Sequence, residues 1–192
     1  MYARMNPYLL RKQLDMTYTD LYRKIVKTAT PAQIEQATTW YLDAEMIAQD
    51  LVRIFANRNV QVSLESSASV ISAFSPRQRW SRNVVQAIEF AHGGKPAGLK
   101  NNLLMAENSL TMGFDALKGQ KTNAFARAIS GDENAITIDV WMCKAAGLET
   151  NAPNKTQYRE LSDAVNVVAT ELRMTPRATQ ALIWIIFRGG AD

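Results

Sequence analysis

The stretch Leu117-Lys118-Gly119-Gln120-Lys121-Thr122, followed by Ala124-Phe125-Ala126, Ile129, Gly131-Asp132 and Ile136-Thr137-Ile138-Asp139-Val140-Trp141, decides how this chain is read. A glycine-containing turn leads into a helix beginning near Gln120. Its first backbone N–H groups and positive dipole end suit a phosphate without sequence preference. A break at Gly131-Asp132 and a β-branched approach then bring Asp139 to the start of another helix, Trp141 to Ala146, stopped by Gly147. The positive end of a helix favours a carboxylate.

Outward from this stretch the periodicity is helical. Leu10, Leu14, Leu21 and Ile25 share one face of a first segment. Ile34, Ala37, Tyr41, Ala44, Ala48, Leu51 and Phe55 make a longer stripe in a second. Thr30 predicts an N-cap for that second helix, with Pro31 at its first position and Gln33 completing a capping box. The same grammar at Ser75-Pro76-Arg77-Gln78 predicts a helix with Trp80, Val84, Ile88 and Ala91 on one side. At Thr175-Pro176 it predicts one carrying Ala178, Leu182 and Ile185. Breaks at Gly93-Gly94 with Pro96, at Gly113, Gly119, Gly131 and Gly147, and at Pro153 cut residues 66–131 into short helices. Residues 59–63 alternate weakly and predict a short extended connection, too little for a sheet. The expected fold class is all-α.

Composition sets the outer bounds. With 192 residues, 47% of them apolar, the chain can bury a substantial core without a disulfide or structural metal, which excludes a disordered chain or a disulfide scaffold. The lone Cys143, with no second Cys and no nearby His, excludes zinc and iron–sulfur sites built on those ligands, so no metal or cofactor is expected. No uncharged apolar run reaches about 18 residues. The N-terminus (Tyr2, Arg4, Asn6, Pro7, then Arg11 and Lys12) lacks the apolar centre of a signal peptide. A soluble cytoplasmic protein with no membrane partner is expected. The net charge of +4 permits a nucleic-acid partner without demanding one, and its uneven distribution reads either as a first hint of such a partner or as a solvated face balanced by Glu35, Asp43, Glu45 and Asp50 on the second helix. Arg77, Arg79, Arg82, Lys95 and Lys100 face only Glu89 within residues 77–100, and Lys118, Lys121 and Arg127 have only Asp115 nearby.

On these residues the chain resembles the helix-hairpin-helix DNA glycosylase superfamily. That family's hairpin ends in a Gly-x-Lys-Thr-Ala-like sequence, and its catalytic aspartate follows the lysine at the spacing found here between Lys121 and Asp139, 18 positions. Upstream, Val70-Ile71-Ser72-Ala73-Phe74 and the residues from Pro76 resemble the family's Leu-Leu-Ser-x-Gln segment, which precedes a helix lining the base pocket. The resemblance spans residues 66 to about 147. Several positions depart from the family pattern. Leu117-Lys118-Gly119 keeps one hairpin glycine of two, Phe74-Ser75-Pro76 stands where the Gln is common, and Trp141 stands where many members have a His. The cluster-ligating cysteines are absent. A fainter resemblance is to phage-encoded relatives linked to hypermodified bases, some of which exchange a pyrophosphate on a hydroxymethyl-uracil for an amine.

The resemblance implies a single compact unit over residues 1–192, with two helical lobes around a cleft. One lobe is residues 1–65 plus 132–192; the other is 66–131, with the hairpin near 115–122. It implies action on an everted, modified base in duplex DNA, with Asp139 stabilising the sugar cation or activating water. Lys121 is the second catalytic candidate, as a Schiff-base nucleophile. Lys118, Gly119, Gln120, Thr122, Arg77 and Arg79 would hold phosphates, and Phe74 and Trp141 would line the base pocket. In the exchange reading the partners are duplex DNA and a small-molecule amine co-substrate, in the host cytoplasm if the chain is phage-encoded. A non-catalytic helix-hairpin-helix DNA-binding module and a helical phage assembly protein remain alternatives.

Plainer roles stand beside each of these. Asp139 reads equally as a helix cap and Lys121 as a surface lysine. Trp80, Trp141 and Trp184 read as core, His92 as a loop residue, and Met105 and Met112 as gap fillers. Arg188 reads either as a C-terminal helix cation or as a residue reaching the cleft. The residues leave the oligomeric state open.

Overall fold

A computed structural model describes residues 7–8, 15–98, 100–150 and 152–190. The elements are α1 (Tyr18–Val26), α2 (Pro31–Ala56), α3 (Leu64–Phe74), α4 (Trp80–Ala91), α5 (Lys100–Met112), a 3-10 turn (Gly113–Ala116), α6 (Gln120–Ile129), α7 (Val140–Ala145), α8 (Lys155–Leu172) and α9 (Pro176–Arg188). The protein is all-helical, with no strand among the described residues. None of the described helices is long and apolar enough to cross a membrane.

The backbone divides into two compact units. Unit 1 holds the described residues up to Trp40 and those from Ile136 onward; unit 2 is Tyr41–Ala135. The breaks therefore fall at 40/41 and 135/136, against the 65/66 and 131/132 expected. The later part of α2 packs inside unit 2: the Ser67 hydroxyl donates to Ala48 O at 2.6 Å, and the rings of Tyr41 and Phe55 sit edge-on to Phe125 and Phe90.

In unit 1, α1 packs on α8 and α9, and α9 also covers α7. Thr17 and Asp20 close a capping box at the start of α1, and Asn154 and Gln157 do the same for α8. Arg23 of α1 binds Glu171 of α8 from Nη2 (2.5 Å) and Asp20 from Nη1 (3.0 Å). In unit 2, α3 is central and packs against α4, α5, the 3-10 turn and α6. Every residue from Ser66 to Phe74 is buried.

The cap grammar holds at two of its three sites. Thr30 and Gln33 bond reciprocally, and Thr175 accepts from Ala178 N with Pro176 in the first turn. Ser75-Pro76 does not open a helix. Ser75 is the C-cap of α3, Arg77 turns the chain at φ +62°, and α4 begins only after Arg79. Proline cannot continue a helix, so the same dipeptide that starts one can end one. The buried face of α4 also differs from the expected stripe, since Asn83, Gln86, Ala87 and Phe90 turn inward while Ile88 is exposed. Ile34 and Met112 are exposed as well, so neither fills the core. Leu21 is buried as expected; Leu10 and Leu14 lie outside the described residues.

The Arg23 pair generates a pH prediction. Hydrogen bonding to Arg23 holds the Glu171 carboxyl below its usual value of 4.5. A lowered folded-state value contributes stability above the unfolded value and loses it as pH falls. Thermal melts from about pH 6 to about pH 3 should therefore show a smaller loss of Tm for Glu171→Gln than for wild type.

Candidate functional site

In unit 2 a hydrogen bond ties the start of α6 to the end of α3. Pro76 ends α3 just after Ser75, and the Ser75 hydroxyl accepts from Lys121 Nζ at 3.0 Å. Lys121 is half-buried in the first turn of α6, with its ammonium 5.7 Å from the centre of the Phe125 ring. The bond joins the start of α6 to the α3–α4 loop, which carries exposed Arg77 and Arg79. Neither arginine forms an ion pair with a described residue.

The turn before α6 is held from both sides. Glu65 Oε1 accepts from Phe114 N (3.0 Å), and Asn123 Nδ2 donates to Phe114 O (3.0 Å). Gly113 at φ +53° lies against the Glu65 carboxylate, where a side chain would collide with it. Arg127 donates from Nε to Asn123 Oδ1 (2.9 Å) and stacks over Phe114 at 4.6 Å. Gly119 is the N-cap of α6 and supplies no side-chain cap, and its φ of −82° is one any residue adopts. Exposed Lys118 donates to Asp115 O (2.7 Å), and Gln120 is exposed. Thr122 is buried and its hydroxyl bonds Gly119 O, so it stabilises the helix start instead of facing outward. Phe74 is likewise 2% exposed and lies edge-on to Phe90, a core position and not a pocket wall.

In unit 1, Asp139 is the N-cap of α7. Its Oδ1 accepts from Trp141 N and Met142 N, both at 2.9 Å, and its Oδ2 accepts from Trp184 Nε1 at 3.1 Å. The approach to it is fixed by Tyr158, whose hydroxyl donates to Ile136 O (2.8 Å) and accepts from Ile138 N (3.2 Å). Below it, Tyr22 donates to Met142 O at 3.1 Å. Burial, and secondarily the Asp139 charge, push the Cys143 thiol up to about 11. Burial pushes Tyr158 up to about 12, against the opposing effect of the Ile138 N–H bond. Trp141 is half-buried with Lys144 Nζ 4.9 Å from its ring centre. Trp184 stacks against Trp40 at 6.1 Å and lies under Arg188 at 4.7 Å, which places Arg188 on the last turn of α9 against an aromatic ring. His92 is an exposed C-cap. No group of three or more potential metal ligands occurs among the described residues.

Lys121 thus belongs to unit 2 and Asp139 to unit 1. Sequence reasoning missed Ser75 as a partner, together with Glu65, Asn123, Tyr158 and Trp184. Only Gly113, a break at a position of positive φ, marked where one of them would dock.

Residues 8–191 match the model of a family of unknown function, DUF7178, and the chain belongs to that family. No curated protein and no solved structure matches it.

Two outcomes follow for the Asp139 cap. Asp139→Ala removes a cap and strands a half-buried indole N–H, and should cost about 2–4 kcal/mol in urea denaturation, whereas Asp139→Asn keeps the cap through its oxygen but turns an amide donor toward the indole N–H, and should cost less than Ala, about 1–3 kcal/mol. Cys143, buried and with its thiol pushed up to about 11, should resist a thiol reagent in the native protein at neutral pH and react once unfolded.

Proposed function

We propose that this chain is a DNA-binding protein of helix-hairpin-helix glycosylase-like fold that acts on a nucleobase everted from duplex DNA. The observation that carries the proposal is the Lys121–Ser75 hydrogen bond. It ties Lys121 to Ser75, two residues before Arg77, and so fixes the start of α6 to the end of α3 from which the loop carrying Arg77 and Arg79 departs. Lys118 and the first N–H groups of α6 would take one stretch of phosphates, and Arg77 and Arg79 another. Lys121, donating to a hydroxyl beside an aromatic ring, suits phosphate contact better than nucleophilic attack.

Asp139 is the carboxylate this proposal assigns to the chemistry. Its two oxygens accept three N–H bonds, which hold the carboxylate in one orientation. Its charge is fixed in place, and that suits electrostatic stabilisation. As the glycosidic C–N bond breaks and its electron pair leaves with the base, the carboxylate would stabilise the sugar cation until water adds at C1′, and the proton that water loses would neutralise the departing base.

Duplex binding measured by anisotropy should weaken with salt, and Lys118→Met and Lys121→Met should each reduce the slope of log K against log salt by about 1. A flat salt dependence overturns the DNA proposal. With modified-pyrimidine duplexes, Asp139→Asn should retain affinity and lose product. Mass spectrometry distinguishes a free base, which marks excision, from a heavier nucleoside formed with added amine, which marks exchange. An active Asp139→Asn would reduce the carboxylate to a cap.

A further inference from the structure

A hollow of about 260 Å3 lies wholly within unit 2, between the end of α2, the loop after α4, and α5. Phe55 and Phe90 line it, edge to face with ring centres 6.1 Å apart. Leu103 and Leu110, two helical turns apart on α5, form one wall.

The lip is cationic and held in place. Arg58 donates from Nη1 to Ala91 O at 2.8 Å. Its guanidinium occupies the space above Gly93, where a Cβ would stand 2.6 Å from Nη2, so this glycine at φ +89° leaves room for it. Lys95 follows in the same loop, whose far side is tied down by Gln86 Nε2 donating to Ala97 O. The lining holds one acid, Glu107, and no described carboxylate lies within ion-pair distance of Arg58 or Lys95.

We propose that this hollow binds a small amphiphilic anion: a carboxylate whose compact aromatic or aliphatic body rests on Phe55 and Phe90 while its charged end meets Arg58 and Lys95. The lining holds two cations against one acid, with the Glu89 carboxylate beside Gly94 but off the lining, and a guanidinium presents the fork that a carboxylate fits. The apolar lining selects a body with no polar atoms at that end, because an unpaired polar group there would be desolvated without a partner. The volume lies below the usual range of ligand pockets, roughly 300–1,000 Å3, and so selects a small ligand. The site is separate from the Lys121–Ser75 edge and does not depend on DNA binding.

The test is an amide NMR titration of the full chain with benzoate, run beside benzyl alcohol, which has the body without the charge, and acetate, which has the charge without the body. Benzoate should give saturable shifts at Gly93, Gly94, Lys95 and Leu103, with both comparison ligands about tenfold weaker or more. Exposed Lys95→Met should weaken benzoate about tenfold with the rest of the spectrum unchanged, and Leu103→Trp, which fills the hollow, should abolish binding. Shifts that stay linear with benzoate, equal binding of either comparison ligand, or unchanged affinity in Lys95→Met would each overturn the proposal.

Discussion

Unit 2 is organised by the burial of α3. A helix hidden on every side from Ser66 to Phe74 must find partners for its polar groups among its neighbours, and those partners fix where the neighbours stand. The Ser67 hydroxyl binds Ala48 O of α2, and the Ser72 hydroxyl binds Thr122 O of α6. Small Ser and Ala side chains let the packed helices approach closely. Within α3, the Ser69 hydroxyl is buried without a partner. Once α3 is seated, Pro76 ends it at a defined place, and Ser75 is delivered to Lys121.

The fold was legible wherever a local rule was enough. The Thr30 and Thr175 caps need only residues three positions away, and Asp139 reads directly as a residue before a short helix. Ser75-Pro76 misled because a proline is compatible with either side of a helix boundary, and only the burial of the residues before it decides which. The inward face of α4 was illegible for a different reason. Asn83 and Gln86 look like surface residues, yet Gln86 is turned inward to reach Ala97 O, while Val85 and Ile88 are left outside. Hydrophobic periodicity misses a helix that buries amides.

The candidate site divides in the same way. Lys121 and Asp139 became candidates through a spacing shared with the resembled family, and Arg77, Arg79 and Lys118 through the uneven distribution of charge. What holds them was not legible. Ser75 lies 46 residues from Lys121, and Trp184 lies 45 from Asp139, so no local pattern links either pair. Thr122 and Phe74 were assigned outward roles by resemblance, yet one hydroxyl is used to close its own helix turn and one ring is packed in the core. Asp139 performs a structural task whatever else it does. A carboxylate that accepts two backbone N–H bonds and an indole N–H is held rigidly, and a charge held rigidly is also what electrostatic catalysis requires.

The claim on which the functional account stands is that α6's start and the α3–α4 loop form one DNA-contacting edge. Amide shift mapping with a short duplex at low salt tests it most directly. The account predicts perturbations concentrated at Arg77, Arg79 and residues 118–121, removed together by added salt. Perturbations confined to other surfaces, or none at all, would contradict it.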